Sequence, residues 1–125
     1  MDCIFCEKLN KNEYILENEL AVAIFDAFPV NKGHMLIIPK RHFASFFEAT
    51  PEEVLSYMEL VNKAKEYLDN EYNPDGYNIG INIGDAAGQT IFHLHIHIIP
   101  RYIGDVENPR GGIRKLKTPL VEYDG

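Results

Sequence analysis

The amino-acid sequence predicts an α+β domain: an antiparallel sheet of about five strands, arranged as a meander, with one long amphipathic helix packed on a face. Three observations carry this reading. One stretch has helical periodicity and a complete start signal, five short segments have strand character, and the loops "DAFPVNKG" and "GDAAGQT" are too short for helical crossovers.

Taken in order, a short strand is predicted at 14–17 and longer ones at 20–25 ("LAVAIF") and 34–38 ("HMLII"), rich in branched and aromatic residues. After "ATPEEV" a helix begins: Thr50 caps it, Pro51 suits its first turn, and Glu53 completes a capping box. Val54, Tyr57, Met58, Val61, Ala64 and Leu68 then recur at intervals of three and four, so the helix spans about 51–70 with one apolar face. Leu55 and Leu60 fall outside that stripe, either at an interface or simply exposed. Past the turn signals of "YNPDGY", strands follow at 77–83 ("YNIGINI") and 91–99 ("IFHLHIHII"). Residues 1–104 form a single domain, and 105–125 form an irregular tail wrapping that domain or a partner subunit.

Composition narrows the function classes. The 125 residues are 46% hydrophobic and 25% charged, the balance of one globular domain, and the formal charge of −7 provides no field for a nucleic-acid polymer. Basic residues gather locally at Arg101, Arg110, Arg114, Lys115 and Lys117, which permits an anion site near the C-terminus. No apolar run approaches the ~20 residues of a membrane span, and "MDCIFCEK" lacks the features of a signal peptide. The expectation is a cytoplasmic protein without a membrane partner, whose Cys3 and Cys6 are thiols or metal ligands rather than a disulfide.

The segment "FHLHIHIIPR" sets His93, His95 and His97 on alternate positions. On a strand they share one face, while Leu94, Ile96 and Ile98 take the other and meet the helix. Neighbouring histidines lie about 6.6 Å apart along a strand, so one ion could be shared by two of them but hardly by three. Cys3 and Cys6 form a C-x-x-C that, with His42 and His93, would complete a closed four-ligand zinc site; two plain thiols or a redox pair remain open on spacing alone. His95 and His97 are then free, and a neutral imidazole is able to attack an electrophile such as phosphorus. In "GDAAGQT", Gly84 and Gly88 could turn backbone N–H groups to an anion, or the loop is an ordinary turn.

The pattern "HLHIHII", with "CIFC", "FDAFPVNKGHMLIIPKRH" and "NIGDAAGQTIFHLHIHIIPR" in that order, resembles the histidine triad superfamily of nucleotide hydrolases and transferases. The resemblance covers residues 2–104. It implies that fold, with a short N-terminal helical segment, and a covalent nucleotidyl intermediate on His95 after attack at the α-phosphorus. His97 and His34 would assist, Asn82, Gln89 and Thr90 would donate to phosphate, and Asp26 would accept from the ribose. Ile4, Phe5 and Ile24, with Ala27 at the rim, would hold the purine, although Phe5 and Ile24 are equally natural core residues and Asp26 a natural turn residue. It also implies one structural zinc per chain on Cys3, Cys6, His42 and His93, and a homodimer built through the long helix and an edge strand.

"IIPRYIGDVENPRGGIR" and the absence of tryptophan look like the branch that hydrolyses dinucleoside polyphosphates, with purine nucleoside phosphoramidase activity as the alternative. The basic residues of the tail could then meet the distal phosphates, or they are simply solvated charges. A metal-dependent hydrolase and a nucleotide-binding or scaffold protein with little turnover are the rivals from other classes.

Overall fold

The computed structural model describes residues 2–124. Its elements, in chain order, are α1 (Ile4–Asn10), β1 (Leu16–Glu17), β2 (Ala21–Phe25), β3 (Met35–Pro39), α2 (Pro51–Tyr72), β4 (Gly76–Ile81) and β5 (Ile96–Arg101), with short 3-10 turns at Phe46–Glu48, Asp85–Ala87 and Gly112–Leu116. The five strands form one sheet in which every pairing is antiparallel.

The expected meander holds only for β1, β2 and β3. The sheet order is β1-β2-β3-β5-β4, so β5 inserts beside β3 and β4 becomes an edge. The connection between β3 and β4 contains α2, whose 22 residues span about 33 Å and carry the chain across the sheet. Short loops fixed the other pairings; this long one did not.

α2 begins as its sequence dictates. The Thr50 side chain accepts from the Glu53 N–H at 3.1 Å, and the Glu53 carboxylate accepts from the Thr50 N–H at 2.9 Å. Glu53 also takes two bonds from Arg41, at 3.1 and 2.8 Å, which tie the helix start to the segment after β3. The buried stripe is Tyr57, Leu60, Ala64 and Leu68, with Val54 and Val61 beside it. Leu60 is therefore core, whereas Met58 is 58% exposed, because it lies about 100° round the helix from Tyr57.

The sheet has two covered faces. Towards α2 it presents Ala21, Ala23, Met35, Ile37, Leu94, Ile96 and Ile98. Towards α1 it presents Val22, Ile24, Leu36 and Ile38, packed with Cys3 and Phe5. Gly33, at φ +88°, turns the chain into β3, and a Cβ there would lie 3.0 Å from Leu68 and 3.1 Å from Tyr72. That turn delivers His34 to the same face as α1.

Candidate active site and metal centre

Only His97 of the three alternating histidines belongs to the paired strand, opposite Leu36 on β3 and Gly80 on β4. The predicted strand at 91–99 begins at Ile96 because the chain leaves the ladder before it: the Leu94 N–H bonds to the Phe43 carbonyl at 2.7 Å. Alternation of faces survives this departure. Leu94, Ile96 and Ile98 enter the core under α2, and the imidazoles of His93, His95 and His97 line the opposite side.

At one end of the row, Cys3, Cys6, His42 and His93 bring four ligand atoms within 4.8 Å of one another. His42 Nδ1 and His93 Nδ1 are 3.1 Å apart, Cys6 Sγ lies 3.3 and 3.6 Å from them, and Cys3 Sγ is 3.5 Å from His93 Nδ1. A tetrahedron with bonds of about 2.1 Å to nitrogen and 2.3 Å to sulfur has edges of about 3.4–3.8 Å, so these separations fit one tetrahedral ion within a few tenths of an ångström. His93 Nε2 donates to the Pro39 carbonyl at 2.8 Å, which leaves Nδ1 unprotonated and able to ligate. Burial lowers the proton affinity of His93, favouring that neutral form. Burial and the hydrogen bond to Cys3 raise the Cys6 thiol above its ordinary value, an effect a bound cation would reverse.

Phe5 separates this cluster from the next histidine. Its ring meets His93 edge-on at 5.8 Å between centroids and His95 at 5.1 Å. His95 Nδ1 donates to the His93 carbonyl at 2.9 Å, so its Nε2 carries the free lone pair. His95 is 8% exposed.

The far end of the row has a fixed proton order. The Val30 N–H donates to His34 Nδ1 at 3.0 Å, which puts the His34 proton on Nε2; that proton faces His97 Nδ1 at 3.0 Å and Asp26 Oδ2 at 3.4 Å. His97 then holds its own proton on Nε2 and is a neutral N–H donor. Burial, reinforced by His95 and His34, brings the His97 pKa down to about 4, and burial lowers His34 against the opposing pull of Asp26. Asp26, His34 and His97 also lie close enough together to suggest metal ligation. The tautomers argue otherwise: His34 Nε2 bears a proton, so the cluster is a hydrogen-bonded relay rather than a cation site.

The remaining candidates divide. Asp26 Oδ1 accepts from the Phe28 N–H at 2.9 Å, an Asx turn, while Oδ2 stays beside His34. Asn82 lines a cleft of about 500 Å³ with His34 and His97. Thr90 is exposed at the end of its loop and Ala27 is exposed after β2. Phe5, on α1, and Ile24, beneath it, are core residues each 4% exposed, whereas Ile4 is 47% exposed. Gln89 differs from expectation: its oxygen accepts from the Gly84 N–H at 2.9 Å and its nitrogen donates to the Ala44 and Ile91 carbonyls at 3.0 and 3.2 Å. Both amide hydrogens are used, and Gln89 closes the loop instead of donating to a ligand.

Of the five basic residues gathered towards the C-terminus, four have partners within the chain. Arg110 and Arg114 lie over the Tyr123 ring at 5.0 and 4.2 Å, Lys115 donates to the Asn108 carbonyl, and Arg101 is paired with Asp105 at 2.8 Å. The tail residues that line the cleft are Asp105, Val106, Gly112, Ile113 and Leu116, of which only Asp105 is charged, and it is paired with Arg101. No motif marks Ile113 and Leu116; their i, i+3 spacing is the only sequence trace.

An α+β domain whose second sheet face holds a histidine row beside a Cys2His2 cluster is thus defined. The family model described as "HIT domain" matches residues 7–104, and the chain belongs to this histidine triad family. An uncharacterized HIT-like protein of Methanocaldococcus jannaschii is 43% identical over 108 residues, which are 84% of this chain and 83% of that one. An adenylylsulfatase of Arabidopsis thaliana is 38% identical over 80% of this chain and 52% of its own length, and an AP-4-A phosphorylase of Mycobacterium tuberculosis 33% identical over 73% and 47%. Among solved structures, a zinc-bound histidine triad family protein from Mycobacterium smegmatis superposes with a TM-score of 0.76 at 36% identity, covering 84% of this chain and 78% of that one. The two cysteines and Phe5 precede the family match, so their part in the site rests on this chain's own geometry.

Proposed function

We propose that the protein is a nucleotide hydrolase or nucleotidyl transferase that cleaves at the α-phosphate of a dinucleoside polyphosphate or a related nucleotide through a covalent intermediate on His95. The observation that carries this reading is the His95 Nδ1 bond to the His93 carbonyl, which aims an unprotonated Nε2 away from the main chain. The names of two relatives, an AP-4-A phosphorylase and an adenylylsulfatase, support adenylyl-bearing substrates.

In the first step the His95 Nε2 lone pair forms a bond to the α-phosphorus, the phosphorus–oxygen bond to the leaving group breaks, and that oxygen takes the electron pair. The ring becomes cationic, and the His93 carbonyl stabilises the charge through Nδ1–H. Neutral His97 donates through Nε2–H to the phosphate oxygens, and His34 holds it in that tautomer. Asn82 and Thr90 are further donors. Water then adds at phosphorus, the phosphorus–nitrogen bond breaks, nitrogen recovers its pair, and the proton lost by the water passes to solvent. Asp26 Oδ2 receives a ribose hydroxyl, and Ile4 lies against the base, backed by Phe5 and Ile24.

Cys3, Cys6, His42 and His93 would hold one structural zinc per chain. When bound it supplies a cross-link that fixes α1 and the 93–95 segment to the sheet, with no open position for substrate. A homodimer is part of the same proposal, with the exposed α2 residues Leu55 and Met58 and the β4 edge as its surfaces.

Mass spectrometry of protein quenched during turnover of diadenosine tetraphosphate and of adenosine 5′-phosphoramidate tests the mechanism. A nucleotidyl adduct on the peptide containing His95, absent in His95→Ala, is expected. Undiminished hydrolysis by His95→Ala would refute it.

A further inference from the structure

The cleft beside His34 and His97 does not end at the reactive row. It continues along β5 past Ile99 to Arg101, under a wall formed by Val106, Ile113 and Leu116. Four residues of strand from His97 to Arg101 cover about 13 Å, room for a phosphate chain leading to a further group. Ile113 and Leu116 are 52% and 82% exposed and lie on one side of a single 3-10 turn. Arg114 lies over Tyr123, Lys115 bonds to the Asn108 carbonyl, and neither they nor Lys117 line the cleft, so the wall is apolar where composition alone suggested cations. Opposite them, Asn78 Oδ1 accepts from Arg101 at 2.7 Å, which fixes the amide and leaves Nδ2 as a donor. The volume, about 500 Å³, falls within the range of small-ligand pockets, and an apolar wall facing a few fixed donors suits a base and its ribose.

We infer that this cleft is the subsite for the second nucleoside of a dinucleoside polyphosphate, the one that departs with the leaving phosphates. The inference rests on the proposed reaction at His95 and adds where the far end of the substrate lies. Val106, Ile113 and Leu116 cover the face of the departing base, Ile99 closes the floor, and Asn78 donates to the sugar or to the last phosphate. Preference for dinucleoside substrates over those with a small leaving group is then a property of the tail. The purine contacts of the first nucleoside play no part in it.

The test compares kcat/KM for diadenosine tetraphosphate with that for adenosine 5′-phosphoramidate, whose leaving group is too small to reach the wall. The Ile113→Ser, Leu116→Ser double variant should lower the ratio of the two about tenfold, mainly through KM for the dinucleotide. Leu116→Phe, which extends the wall, should raise the ratio. Both positions are solvent-exposed, so neither change threatens folding. An unchanged ratio in both variants would overturn the subsite while leaving the His95 reaction in place. Turnover of neither substrate by the wild-type protein, with no adduct on His95, would overturn the underlying reaction and the subsite with it.

Discussion

His97→Gln isolates the cost of burying one imidazole. Burial, with help from His95 and His34, lowers its pKa from 6.5 to about 4. Above 6.5 the ring is neutral whether the chain is folded or unfolded, and pH has no effect through it. As pH falls between 6.5 and about 4, the unfolded chain gains a proton that the folded protein refuses, so stability declines. At about pH 5 the decline through this residue is about 2 kcal/mol, from about 1.4 kcal/mol per tenfold change in proton affinity. Urea unfolding of wild type and His97→Gln at about pH 7.5 and about pH 5, all with chelator so that metal binding does not enter, reads it directly. The wild type should lose about 2 kcal/mol more than the variant, a midpoint difference of about 1 M urea. Equal losses in the two proteins would mean that His97 protonates readily in the folded state, and its role as a fixed neutral donor would fail with that result.

Other outcomes follow from the same geometry. Glu53→Ala removes a buried capping carboxylate together with both Arg41 bonds and should cost about 2–3 kcal/mol, seen as a lower thermal midpoint; Glu53→Gln should recover about half. Purified protein should carry about one zinc per chain by elemental analysis, and Cys6→Ser should lower both the zinc content and the thermal midpoint. Asp26→Asn should reduce discrimination between ribonucleotide and 2′-deoxyribonucleotide substrates about tenfold in kcat/KM, since a neutral amide accepts a hydroxyl less strongly than a carboxylate does.

What was legible in the sequence was local. The capping box, the helix and the alternation of histidine and aliphatic faces depend on neighbours within four residues, and all are present. The stripe on α2 was misphased because Met58 and Leu60 are equally apolar, and only contact with the sheet decides between them. The order of β4 and β5 was illegible because a 22-residue helix between strands permits either pairing. Gln89 shows a further limit: an amide in a glycine-rich loop has the same letters whether it binds an anion or ties the loop to Ala44 and Ile91. The C-x-x-C and two distant histidines were readable as a ligand set only as one option, and closure within 4.8 Å required the fold.

The roles of the histidines show most clearly why residue type falls short of chemistry. The Pro39 carbonyl takes the Nε2 proton of His93 and frees Nδ1 towards the cysteines. The His93 carbonyl takes the Nδ1 proton of His95 and frees Nε2 in the opposite sense. The Val30 N–H does the reverse again, occupying Nδ1 of His34 so that the proton sits on Nε2 and the order passes to His97. One backbone group per anchored ring thus sets which nitrogen of the same side chain keeps its lone pair, Nδ1 on His93 and Nε2 on His95, and places the His34 proton on Nε2. In the Cys2His2 cluster the lone pairs face a shared centre, whereas beside Asp26 a proton already fills the space between the His34 and His97 nitrogens. Substituting Val30 would leave its N–H, and so the tautomer of His34, unchanged. Disturbing the loop from Phe28 to Gly33 would alter both, although no residue there is titratable except Lys32.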